Sequence, residues 1–310
     1  MQKKEPSAPY RIGTRGSPLA LAQARMVAAA LPGESQLVKV RTAGDREQTR
    51  PIAAIGGKGV WTAELERQLL AGEIDMAVHS MKDVESERPG GLTIAAMLPR
   101  ADVRDRMVGA AGLHALSEGM VIGTSSPRRA AQLLRNYPYL KIVPIRGNVA
   151  TRLAKLEAGE ADATLLAAAG LDRLGHGDVG TAIGTDEMLP APGQGAIGIE
   201  VRADRTDLRE VLASISDPDT YIAVSAERAF ALALGGSCDS PVAALAMRDG
   251  QEFLLRAEIL TEDGRIDRRG ETRFAADAPR AVPTEAGAAL GRNLLAQAPP
   301  ELAALFSGAA

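Results

Sequence analysis

The pattern of apolar and polar positions predicts short buried strands that alternate with amphipathic helices. In the first 170 residues, brief apolar runs alternate with longer segments whose apolar residues recur at helical spacing. This alternation predicts α/β lobes with largely parallel sheets, which bind ligands at the carboxyl ends of their strands. The predicted strands are Gln36–Arg41, Asp75–His79, Thr93–Met97, Lys141–Ile145 and Ala163–Leu166, and the predicted helices are Leu19–Leu31, Thr62–Ala71, Arg128–Tyr137 and Asn148–Ala158.

Two parts of the chain repeat each other. The segment IGTRGSP at 12–18 is echoed by IGTSSP at 122–127, and AGEID at 71–75 is echoed by AGEAD at 158–162. Because both echoes occur in the same order, they predict two lobes of related βα construction. In each lobe a serine, Ser17 or Ser126, is predicted to cap a helix that a proline begins. The backbone N–H groups of these helix starts suit a carboxylate or a phosphate.

The spacing of the echoes also reveals an insertion in the first lobe. The echoes lie 110 residues apart at Gly13 and Gly123 but 87 apart at Gly72 and Gly159, so the first lobe is 23 residues longer. We expect the surplus in Thr42–Val60, which is rich in glycine, arginine and polar residues. Two interpretations remain open, a mobile lid that carries basic residues and a surface loop without function.

The pattern changes after about Asp217. A predicted helix, Thr220–Leu234, leads to two predicted strands, Val242–Met247 and Glu252–Leu260, and DG turns at 249–250 and 263–264 indicate hairpins. Helices near Thr284–Ala296 and Leu302–Phe306 complete a third domain of the α+β class. The predicted domains are lobe one at 1–99 with 195–215, lobe two at 100–194, and a C-terminal domain at 216–310.

Composition indicates an ordinary soluble protein with several cores. The chain of 310 residues is 45% hydrophobic and only 3% aromatic, with a formal net charge of −3, so its cores must consist mainly of small and aliphatic residues. No apolar run approaches the roughly 18–20 residues that cross a bilayer. The start of the chain has charges but no apolar stretch after them, so we expect no secretory signal and a cytoplasmic protein.

Local charge points to an anionic ligand. Residues 121–155 contain seven basic residues and no acid, namely Arg128, Arg129, Arg135, Lys141, Arg146, Arg152 and Lys155. A solvated basic face is one interpretation. Nucleic acid has little support, because few aromatic residues lie between these charges and the chain is acidic overall. A smaller anion fits the pattern better.

Two further residues are candidates for chemistry. Cys238 is the single cysteine and lies in the turn segment GGSCDSP at 235–241, where it is either a small buried hydrophobe or a chemically used sulfur. Asp83 follows a predicted strand and is the best acid–base candidate, although it is alternatively a loop residue paired with Lys82. The three histidines are too scattered along the sequence to suggest a metal site.

Eight ordered segments resemble the hydroxymethylbilane synthase family, also called porphobilinogen deaminase. They are IGTR at 12–15, GGKG at 56–59, AVHSMKD at 77–83, GTSS at 123–126, RR at 128–129, RGNVATRL at 146–153, PGQG at 192–195, and Cys238. The resemblance covers nearly the whole chain. It implies a monomer with two related periplasmic-binding-protein-like lobes and a smaller C-terminal α+β domain. It also implies condensation of four porphobilinogen molecules into a linear tetrapyrrole with release of ammonia.

The resemblance further implies roles for individual residues. Cys238 would carry a dipyrromethane cofactor as a thioether, and Asp83 would assist ammonia loss, stabilise the azafulvene-like cation and handle the pyrrole protons. Guanidinium groups suit the acetate and propionate groups of pyrroles because they bind carboxylates bidentately. The implied cofactor contacts are Ser80, Lys82, Asp83, Ser126, Arg128, Arg129 and Arg146, and the implied substrate contacts are Arg15, Ser17, Lys58, Trp61, Arg146, Arg152, Arg173 and Gln194.

The sequence departs from the family pattern at several positions. Ser237 precedes the cysteine where glycine is usual, Trp61 stands at a phenylalanine position, and Val103 replaces a proline in the segment DVRD at 102–105. None of these changes removes a charged residue that the mechanism needs. The alternative hypothesis is a two-lobed anion-binding protein of the solute-receptor type, without catalysis.

Overall fold

Three β-sheets and their flanking helices form the architecture of the chain. The computed structural model describes residues 8–42, 61–235 and 240–306. The strands are β1 Tyr10–Arg15, β2 Ser35–Val40, β3 Met76–Ser80, β4 Leu92–Met97, β5 Asp105–Val108, β6 Val121–Gly123, β7 Lys141–Val143, β8 Ala163–Ala167, β9 Thr181–Ala182, β10 Ile197–Arg202, β11 Val242–Asp249, β12 Glu252–Leu260 and β13 Asp267–Ala275. The helices are α1 Pro18–Ala30, α2 Ala63–Leu70, α3 Pro127–Asn136, α4 Val149–Glu157, α5 Ala168–Arg173, α6 Thr206–Ala213, α7 Pro218–Ala233, α8 Ala281–Ala296 and α9 Pro300–Ala304.

The first two sheets have the same topology. Lobe one has the strand order β2-β1-β3-β10-β4, and lobe two has the order β7-β6-β8-β5-β9. In each sheet the first three strands are parallel, and the fourth is antiparallel to both of its neighbours. Four of the five strands therefore run in one direction. This arrangement confirms the predicted α/β lobes with mostly parallel sheets.

The sequence echoes correspond to equivalent structural positions. Asp75 Oδ2 accepts a hydrogen bond from Arg11 N at 2.9 Å, and Asp162 Oδ2 accepts one from Val121 N at 2.7 Å. Each aspartate thus holds the N-terminal end of an equivalent strand, β1 in lobe one and β6 in lobe two. A glycine follows that strand start in both lobes, and a Cβ atom there would collide with an isoleucine, Ile74 in lobe one and Ile145 in lobe two. The echoed aspartates and glycines therefore occupy equivalent positions, while the isoleucines beside the glycines come from different places, Ile74 before β3 and Ile145 after β7.

Both predicted helix caps are confirmed. Ser17 Oγ accepts a hydrogen bond from Ala20 N at 3.2 Å, and Ser126 Oγ accepts one from Arg129 N at 3.5 Å. Pro18 and Pro127 begin α1 and α3. Arg15 is the last residue of β1, directly before the turn that leads to α1.

The C-terminal part is a three-stranded antiparallel sheet packed on helices. β11, β12 and β13 form two consecutive hairpins, and α7 and α8 cover one face of the sheet. Phe253 and Phe274 stack in this core with ring centroids 5.6 Å apart. The predicted hairpin at Asp263 and Gly264 is confirmed, and β13, for which no bounds were predicted, is its second strand. Within the described residues, no helix combines the length and the apolar character needed to cross a membrane.

Candidate functional site

The carboxyl end of β3 carries the predicted acid–base residue. After Ser80 the chain forms a short 3-10 helix, Met81–Asp83, in which Met81 is buried and Asp83 is exposed. Ser80 Oγ exchanges hydrogen bonds with the buried amide of Gln23 at 2.8 and 3.1 Å, which ties this segment to α1. The Asp83 carboxylate is thus accessible to a ligand while the residues before it are anchored.

A small cavity of about 60 Å³ lies beside Asp83 in lobe one. Its lining includes Arg15, Ser17, Trp61, Ser80 and Asp83, so it brings together five of the predicted site residues. The guanidinium carbon of Arg15 lies 3.9 Å from the ring centroid of Trp61, a cation–π contact. The tryptophan at the family's phenylalanine position therefore retains an aromatic face and applies it to a basic site residue.

Charged side chains from both lobes act on the ammonium group of Lys82. Burial is the main cause that lowers the pKa of its ammonium group, to about 8. The charge of Asp83 opposes this shift, while the charges of Arg129 and Arg152 in lobe two reinforce it. Lys82 and Asp83 of lobe one therefore lie close enough to Arg129 and Arg152 of lobe two for their charges to interact.

The basic residues of lobe two come from three elements. Arg152 lies on α4, and its Nε donates to the carbonyl oxygen of Gly147 at 2.9 Å. Burial is the main cause that lowers its pKa to about 10, and the charges of Arg129 and Arg146 act in the same direction. Arg146 precedes α4, and Arg129 lies in the first turn of α3. Together with Lys82 of lobe one, these three arginines form a basic cluster that consists of Lys82, Arg129, Arg146 and Arg152.

Arg128 and Arg129 are buried and share one carboxylate. Their Nη2 atoms each donate to Asp105 at 2.8 Å, and their Nη1 atoms donate to the carbonyl oxygens of Leu189 and Leu165. Burial would raise the pKa of Asp105, but the two guanidinium charges outweigh it and hold that pKa well below its usual range. Asp105 is a residue that the sequence analysis did not assign to the site.

Gln194 lies on the connection back to lobe one, and Arg173, the last residue of α5, binds that connection. The fully buried Gln194 amide donates to Val103 O at 2.8 Å and to Asp105 Oδ1 at 2.9 Å. Arg173 Nη2 donates to Gly195 O at 2.7 Å, and burial is the main cause that lowers the pKa of Arg173 to about 10. Both residues thus position the segment that crosses between the lobes.

A second buried network stands behind the Asp83 segment. His79 Nε2 is hydrogen-bonded to Glu200 at 3.0 Å, and Arg88 Nε donates to the same carboxylate at 2.8 Å. Arg88 Nη2 also donates to Glu66 on α2 at 2.6 Å. His79 is therefore a satisfied structural histidine. Two predicted site residues, Cys238 and Lys58, lie outside the described residues, as does all of the predicted lid except Thr42.

The N–H donors of these side chains suit a ligand that carries several carboxylates, such as a dipyrromethane group. Buried polar atoms without a partner include Nε of Arg128, Arg129 and Arg173 and Oε1 of Gln194. Unsatisfied buried N–H donors on cationic side chains are costly unless an acceptor completes them. Among the described residues, no group of histidine, aspartate and glutamate side chains is arranged to hold a metal ion.

Comparisons with known proteins match nearly the whole chain to one family. The sequence profile described as porphobilinogen deaminase, dipyrromethane cofactor binding domain, matches residues 10–210, and the porphobilinogen deaminase C-terminal domain profile matches residues 221–296. Porphobilinogen deaminase of Sphingopyxis alaskensis is 52% identical, with 97% of this chain and 98% of that protein covered. The Paracoccus denitrificans protein of the same name is 50% identical, with 94% of each chain covered.

Solved structures give only a weak likeness. The periplasmic VFT2 domain of Bordetella pertussis BvgS aligns with 66% of this chain and 86% of that domain, at 19% identity and a TM-score of 0.37. The fold class follows instead from the sheet topology described above.

Two related α/β lobes, with basic side chains from both near the exposed Asp83 carboxylate, define a two-lobed protein suited to a carboxylate-bearing ligand. The matching profiles and relatives make the class specific: the chain belongs to the porphobilinogen deaminase family. It is accordingly a transferase that condenses four porphobilinogen molecules head-to-tail into hydroxymethylbilane, releases ammonia, and uses a dipyrromethane cofactor. Family membership favours this enzyme over the alternative of a solute receptor.

Proposed function

We propose that Asp83 is the catalytic residue of this transferase and that Cys238 is the anchor of its cofactor. The observation that carries the proposal is the meeting of Lys82 and Asp83 of lobe one with Arg129 and Arg152 of lobe two. Cations from both lobes attract the carboxylates of a pyrrole, and a carboxylate among them stabilises the positive charge that develops during the reaction.

Asp83 acts on the aminomethyl carbon and the ring nitrogen of the substrate. When the C–N bond of porphobilinogen breaks and ammonia leaves, positive charge spreads over the pyrrole ring, and the Asp83 carboxylate stabilises it by holding the pyrrole N–H. The new C–C bond forms at that methylene carbon, and the proton displaced from the attacked ring leaves by way of Asp83. The bound dipyrromethane supplies the terminal pyrrole to which the first substrate adds.

The basic residues bind and orient the carboxylates. We propose that Ser80, Lys82, Ser126, Arg128, Arg129 and Arg146 hold the cofactor, and that Arg15, Ser17, Lys58, Trp61, Arg146, Arg152, Arg173 and Gln194 contact substrate and growing chain. Arginine remains charged even where burial lowers its pKa, as it does for Arg152. Such residues therefore keep binding carboxylates as successive units are added.

The proposed domains follow the three sheets. Lobe one comprises 1–99 with 195–215, lobe two comprises 100–194, and the C-terminal domain comprises 216–310. Their support is that β10 pairs within the first sheet while β5 to β9 form the second. We propose further that the protein acts as a monomer in the cytoplasm, and size-exclusion chromatography with light scattering tests the first of these statements.

Intact mass of the purified chain tests the anchor. The expected adduct is two pyrrole units, lost in Cys238→Ala. An unmodified native chain without activity on porphobilinogen would contradict the proposal.

The variant Asp83→Asn tests the catalytic residue. It keeps the size of the side chain but removes the charge, so kcat should fall by about 100-fold or more while the adduct remains. Asp102→Asn is the matched control, because that aspartate is partly exposed and bonded to Arg104 on the connection between the lobes. Turnover of Asp83→Asn equal to that of the control would remove Asp83 from the catalytic role.

A further inference from the structure

Asp105 is a buried carboxylate to which the reaction gives no role. Its side chain is about 1% exposed and accepts hydrogen bonds from Arg128 Nη2, Arg129 Nη2 and Gln194 Nε2 at 2.8–2.9 Å. It is the first residue of β5 and lies opposite Ala167 in the register with β8. The strand pairing therefore fixes the place of this carboxylate in the sheet of lobe two.

The contacts of Asp105 determine which atoms of the two arginines remain for a ligand. The Nη1 and Nη2 atoms are bonded to Asp105 and to the backbone carbonyls of Leu189 and Leu165, whereas both Nε atoms are buried without a partner. Two guanidinium charges against one carboxylate also leave one net positive charge. A buried positive charge and orphan N–H donors are costly alone, and an added carboxylate relieves both.

Asp105 also links the helix start to the connections between the lobes. Gln194, which it binds, lies on the segment that returns to lobe one and donates a second bond to Val103 on the segment that enters lobe two. Through one carboxylate, the N-terminal turn of α3 is thus held to both crossing segments.

We propose that Asp105 is the positioning residue that presents Arg128 and Arg129 to the carboxylates of the bound ligand. The proposal rests on the proposed function, in which these arginines hold the cofactor. A merely structural ion pair would contribute equally to the stability of the fold with and without the ligand. If Asp105 positions the arginines for the ligand, it contributes most to stability when the ligand is absent. The carboxylate of a bound ligand neutralises part of the charge of the two arginines, and without it Asp105 alone does so.

The test compares Asp105→Asn in the native chain, which carries the cofactor, and in a Cys238→Ala background, which does not. We expect the unfolding midpoint to fall by about 10 °C in the cofactor-free chain and by less than half as much in the loaded chain. Intact mass should also show a smaller loaded fraction for Asp105→Asn, and Asp105→Glu, which keeps the charge, should recover part of it.

Glu258→Gln is the matched control. Glu258 is also a buried carboxylate paired with an arginine of α3, Arg135, but at the other end of the helix. Its loss should lower the midpoint equally in both backgrounds and leave loading unchanged. An equal fall for Asp105→Asn in both backgrounds would overturn the inference.

If Asp105→Asn does not fold without cofactor, the double variant Asp105→Asn with Arg129→Gln decides. It restores one net positive charge, so we expect a folded chain that still loads poorly. A double variant no more stable than the single one would contradict the proposal. A native chain without any adduct would instead contradict the proposed function, so the two failures are distinguishable.

Discussion

Single buried carboxylates each hold two basic side chains in place in this protein. Glu200 is fully buried and binds both His79 and Arg88, and Asp105 binds Arg128 and Arg129. In both places an acid from one strand neutralises basic groups that come from other elements. Breaking such a pair leaves an uncompensated buried charge, which costs about 3–5 kcal/mol.

Lys82 gives a pH-dependent prediction at the same scale. Its pKa is about 8 in the folded chain, below the ordinary value of 10.5, so between these values the unfolded chain binds more protons. Stability from this group therefore rises with pH through that interval, by at most about 3 kcal/mol. In the cofactor-free Cys238→Ala background, Lys82→Gln should be more stable than its parent at pH 7, and the difference should shrink by pH 10.

Urea unfolding at several pH values measures this difference. Lys141→Gln is the control, because Lys141 is exposed on β7. A difference between Lys82→Gln and its parent that stays constant from pH 7 to 10 would contradict the prediction.

Some site residues could be predicted from sequence because their signals are local. Ser126 precedes a proline and a helix, and Asp83 follows a strand, so the neighbouring residues are enough to select both as candidates. Asp105 could not be assigned in this way, because its partner Gln194 lies 89 residues away and both are polar residues in a core. The segment DVRD at 102–105 was its sole signal.

At the scale of elements, close packing of α7 against α8 fills the C-terminal core without many large side chains. A Cβ atom on Gly287 of α8 would collide with the carbonyl oxygen of Ala226 on α7, and one on Gly291 would lie 2.9 Å from that of Phe230. The two helices therefore pack backbone against backbone. This explains how a chain with 3% aromatic residues fills its C-terminal core.

Gly287→Ala tests this packing. The added methyl group meets backbone that cannot move aside, so we expect a loss of about 1–3 kcal/mol in spite of the better helix propensity of alanine. Gly170→Ala is the control, since the nearest atom to its Cβ would be Leu19 Cδ2 at 3.7 Å. Chemical denaturation measures both variants, and equal stability would show that α8 has room on α7.

The elements that the sequence did not indicate share a physical cause. The predicted hairpin at 263–264 implied β13, but its bounds were not predicted, because most of its residues are polar and only Phe274 is buried. β10 includes Glu200, whose burial depends on Arg88, 112 positions earlier in the chain. The strongly periodic helices α3, α4 and α7 were predicted to within a few residues of their ends.

At the scale of the whole molecule, the C-terminal domain supports the Asp83 segment. Arg228 on α7 donates to the carbonyl oxygens of Val84, Glu85 and Ser86 at 2.9, 2.6 and 3.2 Å. Val84 directly follows Asp83. The position of the residues that follow Asp83 thus depends on a buried arginine from another part of the chain.

Arg228→Met should lower kcat by about tenfold, because it frees the residues that follow Asp83. Steady-state kinetics on chains whose adduct is verified by mass measures the effect. Arg248→Met removes a half-exposed ion pair with Asp219 in the same domain and should leave kcat unchanged. Equal kcat values for both variants would show that Asp83 keeps its position without Arg228.

The place of β10 in the first sheet has a consequence for biosynthesis. β10 lies between β3 and β4, so the sheet of lobe one stays incomplete on the ribosome until Arg202 has been translated. All strands of the second sheet lie between Asp105 and Ala182. All strands of lobe two are therefore translated before the sheet of lobe one is complete. Until β10 is made, about 100 residues after β4, one edge of β3 and one edge of β4 lack their strand partner.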